Sequence, residues 1–445
     1  METGNGQQSA NGKTVSRREI LQLGGVLVGA AYFRAASAEG AGGEDPLSGE
    51  RLYKDVVHYV SLGEHRTGTK VDLATSAWLL DEMRKAGLQA EYLPFPLRLF
   101  DMKACWVEVD GVKYQGYPEW FPTATGPAPV KGPLATLPEG ASLGALKGKV
   151  WLTESDARRA RIPAKMKKRI DEAGKAGALA AVVLVRHESG ELAGRSAGKP
   201  WNDGPWCSIP LVGVAMKHKD ALMTSAKSGA AASVLVDGDD RPNSTANDVI
   251  GRIGEGKDLI IVTTPSSGLS FCGGERGPGV ALLLGLARWA GQRELKTRYL
   301  FSANSGHELM GLGVYPLVEQ VVPPPDKVKC WLHLGSGIAN WHWEETSEGL
   351  KKTVRQGGIT NFVSSPEFVP ILEEAFAHVQ DLKPRTVLPG GELQAYMERG
   401  YKSFGFFGGN RYFHTVVDGP EQTAPELLEP IARGLAKALT AVEAV

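Results

Sequence analysis

From residue 257 onward the chain alternates apolar runs of strand length with runs of helix length. "KDLIIVTT" leads to "GVALLLGLARWAGQ", then "TRYLFSAN", "KCWLHLG", "SPEFVPILEEAFAHV" and "FGFFG". The strand-length runs are apolar at consecutive positions, which marks strands covered on both faces. Such strands separated by helices imply an α/β fold, a mixed and largely parallel sheet sandwiched by helices. The helix at 279–292 is apolar nearly all round and belongs inside. Nearer the start, "TGTKVDLATSAWLLDEMRKAG" reads as a helix ended by Gly87, with "LQAEYLPF" following as a strand. Ser365-Pro366 is expected to cap the helix at 365–379, and Thr423 with Glu426 to form a capping box for the last one.

Composition narrows the function classes. At 445 residues and 42% hydrophobic, the chain can bury two or three cores. Its formal net charge is zero, and it lacks the basic footprint of a nucleic-acid binder. The basic run at 158–169 reads as a solvated helix face. Cys105, Cys207, Cys272 and Cys330 are widely spaced, which suits buried thiols rather than a metal knuckle or a disulfide framework. Near the N-terminus, Arg17 and Arg18 precede an apolar run from Ile20 to Phe33 and a small-residue site ending at Ala38. This resembles a twin-arginine signal over residues 1–38. It implies a periplasmic or secreted product with no stable membrane insertion once the signal is removed.

The middle of the chain changes character at 122–148, rich in Pro, Gly and Ala. "GKVWLTES", "AKMKKRIDEAGKAGA", "LAAVVLVRH", "SIPLVGVAMKHKDALMTSAKSGA" and "ASVLVDG" then give short strands and helices around an Ile209–Val214 core. This order resembles the protease-associated domain, a β/α lid inserted in several exopeptidases. The implied division is an insert at 118–243 within a catalytic domain of 39–117 and 244–445.

In open α/β sheets, ligands bind beyond the carboxyl ends of the strands. Those ends carry Glu275 and Arg276, then His307 and Glu308, then His333, with His414 ahead of the last helix. Titratable groups on four separate segments of one rim favour a site. Ser266 and Ser267 lie on the same rim. A salt bridge fixing the Gly-rich loop is an equally good account of Glu275-Arg276.

With these residues in view, the chain resembles the co-catalytic zinc aminopeptidases, relatives of glutamate carboxypeptidase and the transferrin receptor. "GEHRTGTKVDLATSAWLLDEMRKAGLQAE", "NDVIGRI", "GPGVALLLGLAR", "GHELMGLGV" and "FHTVVDGPEQTAPELLEPIARGLAKAL" carry the likeness. It implies a zinc-exopeptidase-like fold, a peptide-like or amide substrate and hydrolysis of peptide or amide bonds. Carried over by position, the first histidine ligand falls on Pro265 and its aspartate partner on Ser267, the bridging carboxylate falls on Glu275 and its neighbour on Arg276. The general base falls on His307, a zinc ligand is kept at Glu308, a later ligand falls on His333, and the last is kept at His414. The likeness then implies one zinc or none, held by Glu275, Glu308, His333 and His414. His307, Glu308 and Arg276 are the catalytic candidates; a histidine can serve as a base as well as a glutamate can. Ser266, Ser267, Glu392 and Tyr396 are expected to line the substrate pocket. Two alternatives stay open: a relative that binds a peptide-like ligand without turnover, and a metal-free lyase or isomerase.

Overall fold

The structure is a computed structural model that describes residues 44–155, 163–197, 204–355 and 360–445. The signal expected over 1–38 lies outside the described residues. Among those described, no helix is long and apolar enough to cross a membrane.

Residues 45–445 form one compact unit. It opens with α1 (Gly49–Ser61), α2 (Lys70–Lys85) and a long strand β1 (Gln89–Val109). There follow β2 (Val112–Pro118), β3 (Val130–Ala135), β4 (Val150–Ser155), α3 (Ala164–Lys175), β5 (Ala180–Val185), β6 (Leu211–Ala215), α4 (Lys219–Ser228) and a second long strand, β7 (Ala231–Ile253). The remainder comprises β8 (Leu259–Pro265), α5 (Gly277–Gly291), β9 (Arg298–Asn304), β10 (Cys330–Leu334), the hairpin β11 (His342–Thr346) and β12 (Gly349–Thr353), then β13 (Thr360–Ser364), α6 (Val369–Ala375), α7 (Gly391–Glu398), β14 (Ser403–Gly408) and α8 (Pro425–Ala444).

The site stands on the order β7-β9-β8-β10-β14-β13. β9, β8, β10 and β14 run parallel, and antiparallel β7 and β13 flank them. Every residue of β8 and β10 is buried, as expected for central parallel strands with helices on both faces. α5 packs there with twelve of its residues buried. Parallel strands end together, so the loops after β8, β9 and β10 emerge on one rim.

β1 and β7 pair antiparallel over nearly their whole lengths, from Gln89 with Arg252 to Val109 with Ala232. At 21 and 23 residues each reaches roughly 70 Å at the rise of a strand. Their far ends take part in a second arrangement. β1 pairs β2, which pairs β6, and β5, β4 and β3 follow in turn back to β7. Those seven strands close a ring. Val107, Val182, Leu184, Val212, Val214 and Val234 fill its inside, while Ala181 and Val183 on the alternate face pack on Ile170 and Ala173 of α3. Period-two alternation thus sorts one apolar strand between two cores.

Two capping expectations are corrected. α8 begins at Pro425 with Ala424 as its cap and no side-chain cap bond. The Thr423 hydroxyl bonds instead to the Ala339 carbonyl. Ser365 likewise does not cap; its oxygen accepts from the Ser403 amide at 3.0 Å, and only a 3₁₀ turn at Pro366–Phe368 precedes the short α6. In both places a tertiary partner takes the hydroxyl. All four cysteines are buried free thiols.

Candidate active site

The loop after β9 is tied down on three sides. The Ser305 amide donates to Asp248 Oδ1 at 2.8 Å, and its hydroxyl to the Asp72 carboxylate at 2.9 and 3.0 Å. The Gly306 amide donates to Ser267 Oγ at 2.8 Å. Gly306 has φ 83°, and a Cβ there would stand 3.0 Å from the Gly313 amide nitrogen, so only glycine fits the turn. His307–Leu309 then form a single 3₁₀ turn that presents His307 and Glu308 to the rim.

Four charged side chains meet there. Arg276 is 1% exposed, and its Nη2 lies 2.7 Å from Glu308 Oε1 and 2.8 Å from Glu275 Oε1. The first contact is a hydrogen bond; the second is close but lacks hydrogen-bond alignment, leaving Glu275 Oε1 without a directed donor. His414 Nε2 stands 3.4 Å from Glu275 Oε1 and 3.5 Å from Glu308 Oε1. Burial works against charge on that imidazole, but the two carboxylates outweigh it and raise its pKa to about 10. Burial likewise opposes charge on both carboxylates, yet the cations win. Arg276 and His414 hold Glu275 below the usual carboxylate range, and His414, His307 and Arg276 hold Glu308 well below it. His414 adopts φ 66° and Cys272 φ 54°, left-handed values that side chains rarely adopt and that concentrate at functional sites. The Arg276 Nε donates to the Ser267 carbonyl at 3.0 Å, whereas its buried Nη1 has no hydrogen-bond partner.

Beside this quartet His307 Nδ1 bonds to Glu392 Oε1 at 2.8 Å. Glu392 is buried, and although burial opposes its charge, His307 holds its pKa below the ordinary value. His333 stands with this second group. Its Nδ1 bonds to Thr263 Oγ1 at 3.0 Å, its ring meets Tyr396 edge-on at 5.5 Å, and burial lowers its pKa to about 4. It is not among the three residues whose ligand atoms converge. Its strand register explains this, for His333 sits opposite Thr263 inside the sheet and not beyond the strand ends.

The expected pocket residues take supporting positions. The Ser266 carbonyl accepts from the Tyr59 hydroxyl at 3.0 Å. Ser267 holds Gly306 and Arg276 as above and accepts from the Thr67 hydroxyl at 3.1 Å. Tyr396 is fully buried and stacked on Trp331 at 4.0 Å, so it packs in the core. Two residues not singled out from sequence also serve the site. Asp418 accepts from the Gly274 and Glu275 amides at 3.0 and 2.9 Å, and Ser196 donates to Glu308 Oε2. Asp418 lies within the "HTVVDG" stretch and was within reach of motif reading. Ser196 lies in a segment with no chemical signature of its own.

One ligand atom each from Glu275, Glu308 and His414 lies within 4.8 Å of the others. The separations of 3.4 and 3.5 Å from His414 to the two carboxylates match the roughly 3.3 Å edge of a tetrahedron with zinc-ligand bonds of 2.0–2.1 Å. Imidazole and carboxylate are both zinc ligands, and three protein ligands are the number a catalytic zinc site uses. These three residues could therefore hold one ion. Arg276, on the same two oxygens, supplies a fixed positive charge beside it.

No family profile matches the sequence, and no curated protein matches it. Solved structures do. A zinc aminopeptidase from Bacillus subtilis aligns over 89% of this chain and 96% of its own, with TM-score 0.67 and 17% identity. A peptidase M28 precursor from Shewanella amazonensis aligns over the same 89% and 96%, with TM-score 0.64 and 12% identity. An aminopeptidase from Aneurinibacillus gives TM-score 0.58 at 16% identity over 89% and 94%. At such identities the likeness speaks for architecture: the chain has the zinc-exopeptidase-like fold.

Proposed function

We propose that the protein is an aminopeptidase-like hydrolase of peptide or amide bonds, working with one zinc ion and a His307–Glu392 proton-transfer pair. The observation that carries this is the 2.8 Å bond from His307 Nδ1 to Glu392 Oε1, set beside the three converging ligand atoms. Glu275, Glu308 and His414 would hold the ion. When bound, zinc supplies Lewis-acid polarisation of a carbonyl and of a water.

The chain's own residues do the rest. Glu392 accepts the proton on Nδ1, which fixes the imidazole tautomer and leaves Nε2 as the basic nitrogen. His307 then takes a proton from the attacking water at Nε2 and returns it to the leaving amine. Arg276 compensates the two carboxylates. Export through a twin-arginine signal belongs to the same proposal, with the N-terminal residues as its support.

The experiment is a panel of aminoacyl and peptidyl amides with the zinc-loaded full chain, its His307→Ala variant and its Glu392→Gln variant. Loss of a general base is expected to lower kcat about 10²–10⁴-fold in His307→Ala, with Glu392→Gln falling in the same direction. Full activity in His307→Ala, or no turnover by the wild-type chain on any amide, contradicts the proposal.

A further inference from the structure

After β5, residues 192–197 lie against the rim of the site. Leu192 accepts from the Val416 amide at 3.0 Å, and Ala193 bridges Thr415 antiparallel. The Gly194 amide donates to the His414 carbonyl at 2.9 Å, and the Ala197 amide to the Glu308 carbonyl at 2.8 Å. Two of the three converging residues are thus held through their backbones by this one segment. Arg195 anchors it from below, its Nε 2.8 Å from Glu119 Oε1 with both side chains buried. At Gly194 a Cβ would stand 3.2 Å from Leu269, so the strand lies against the body with no slack.

The two oxygens of Glu308 then have different partners. Oε1 faces Arg276 Nη2 and His414 Nε2. Oε2 accepts from the Ser196 hydroxyl. A carboxylate can turn about its last bond, and a donor on one oxygen decides which oxygen faces the cations. Hydroxyl and carboxylate are both buried, so the bond is shielded from competing water.

We propose that Ser196 is a positioning residue of the active site, orienting the Glu308 carboxylate so that Oε1 is presented as a metal ligand. Residues 192–197 thereby become part of the site. This rests on the functional reading above in taking Glu308 as a ligand. Partners of metal ligands fix their geometry, and their removal weakens metal affinity about 10–100-fold.

The test uses the full chain, its Ser196→Ala variant and its Ser196→Thr variant, with zinc affinity measured by competition against a chelator of known affinity. Ser196→Ala is expected to bind zinc about 10–100-fold more weakly, and Ser196→Thr, which keeps the hydroxyl, to recover most of that loss. The far-ultraviolet dichroism of all three is expected to coincide. Wild-type affinity in Ser196→Ala overturns the inference and leaves the functional reading standing. Equal weakening in both variants overturns it too, since a disturbance of packing and not the lost hydroxyl would then be the cause. No zinc binding by the wild-type chain overturns the ligand role of Glu308, and with it both proposals.

Discussion

Arg276 occupies the most consequential position of any side chain in the site. In the zinc-free chain it is buried with two carboxylates and an imidazole whose pKa they raise to about 10. The quartet balances, two negative against two positive. Removing one member of such a group leaves an uncompensated buried charge, which typically costs about 3–5 kcal/mol. Arg276→Met is therefore expected to lower the unfolding free energy of the zinc-free chain by about that amount, as measured by denaturant titration. Added zinc should restore part of it, since the ion supplies the missing positive charge. Unchanged stability in the zinc-free variant would show that the guanidinium is not the counter-charge. At this scale the sequence was informative where a motif named a position: Glu275, Arg276, His307, Glu308 and His414 all reach one rim. It was weakest where the role depends on side-chain direction. His333 lies within β10, one position short of its end, and Glu392 of α7 proves to be the partner of His307. Neither direction is written in local composition.

At the scale of elements, the start of α2 shows how an ordinary helix cap reaches the loop after β9. Thr69 caps α2 by accepting from the Asp72 amide at 3.4 Å, and Asp72 in turn accepts from the Gly68 amide at 2.8 Å. The same carboxyl receives the Ser305 hydroxyl from the loop that carries His307. Burial raises the pKa of Asp72 from 3.8 to about 7, against the opposing effect of those hydrogen bonds. The folded chain therefore holds this proton more tightly than the unfolded one. Its contribution to stability is complete below pH 3.8 and is lost as pH rises to about 7. His65, buried with its pKa lowered to about 3, acts oppositely over an overlapping range, so the total profile of the wild type mixes the two. The difference between Asp72→Asn and wild type separates them. It is expected to shift in favour of the variant between pH 4 and pH 7 by up to roughly 4 kcal/mol and to level off above. A difference independent of pH would show that Asp72 is ionised in the folded chain throughout.

Elements were legible in proportion to their local pattern. β8, β9, β10 and α5 are continuous apolar runs, and the structure has them where the sequence places them. β7 was harder to see. Its stretch "DGDDRPNST" has poor strand propensity, yet it pairs with β1 across two register shifts that leave Pro242 and Asn243 without partners in the register. Cross-strand pairing over that length overrides propensity, and no local window contains both partners. The two misplaced caps have the same origin, since Ala339 and Ser403 are distant in sequence from the hydroxyl or amide they engage.

For the whole molecule, the parallel order of β9, β8, β10 and β14 brings one set of loops to a common rim, and the long strands β1 and β7 carry a closed ring of short strands beside it. Residues 194 and 197, after β5, then bond through their backbones to His414 and Glu308. The architecture was legible from strand and helix alternation; the approach of residues 192–197 to the site was not, because it depends on where two distant surfaces meet. The central claim is that this arrangement holds a single ion between Glu275, Glu308 and His414, with Arg276 where a second positive charge would otherwise be needed. Zinc content per chain, measured by elemental analysis after loading and exhaustive dialysis of wild type and His414→Ala, tests it most directly. The account predicts one zinc per wild-type chain and none in the variant. Two per chain, or the same content in both proteins, would contradict it.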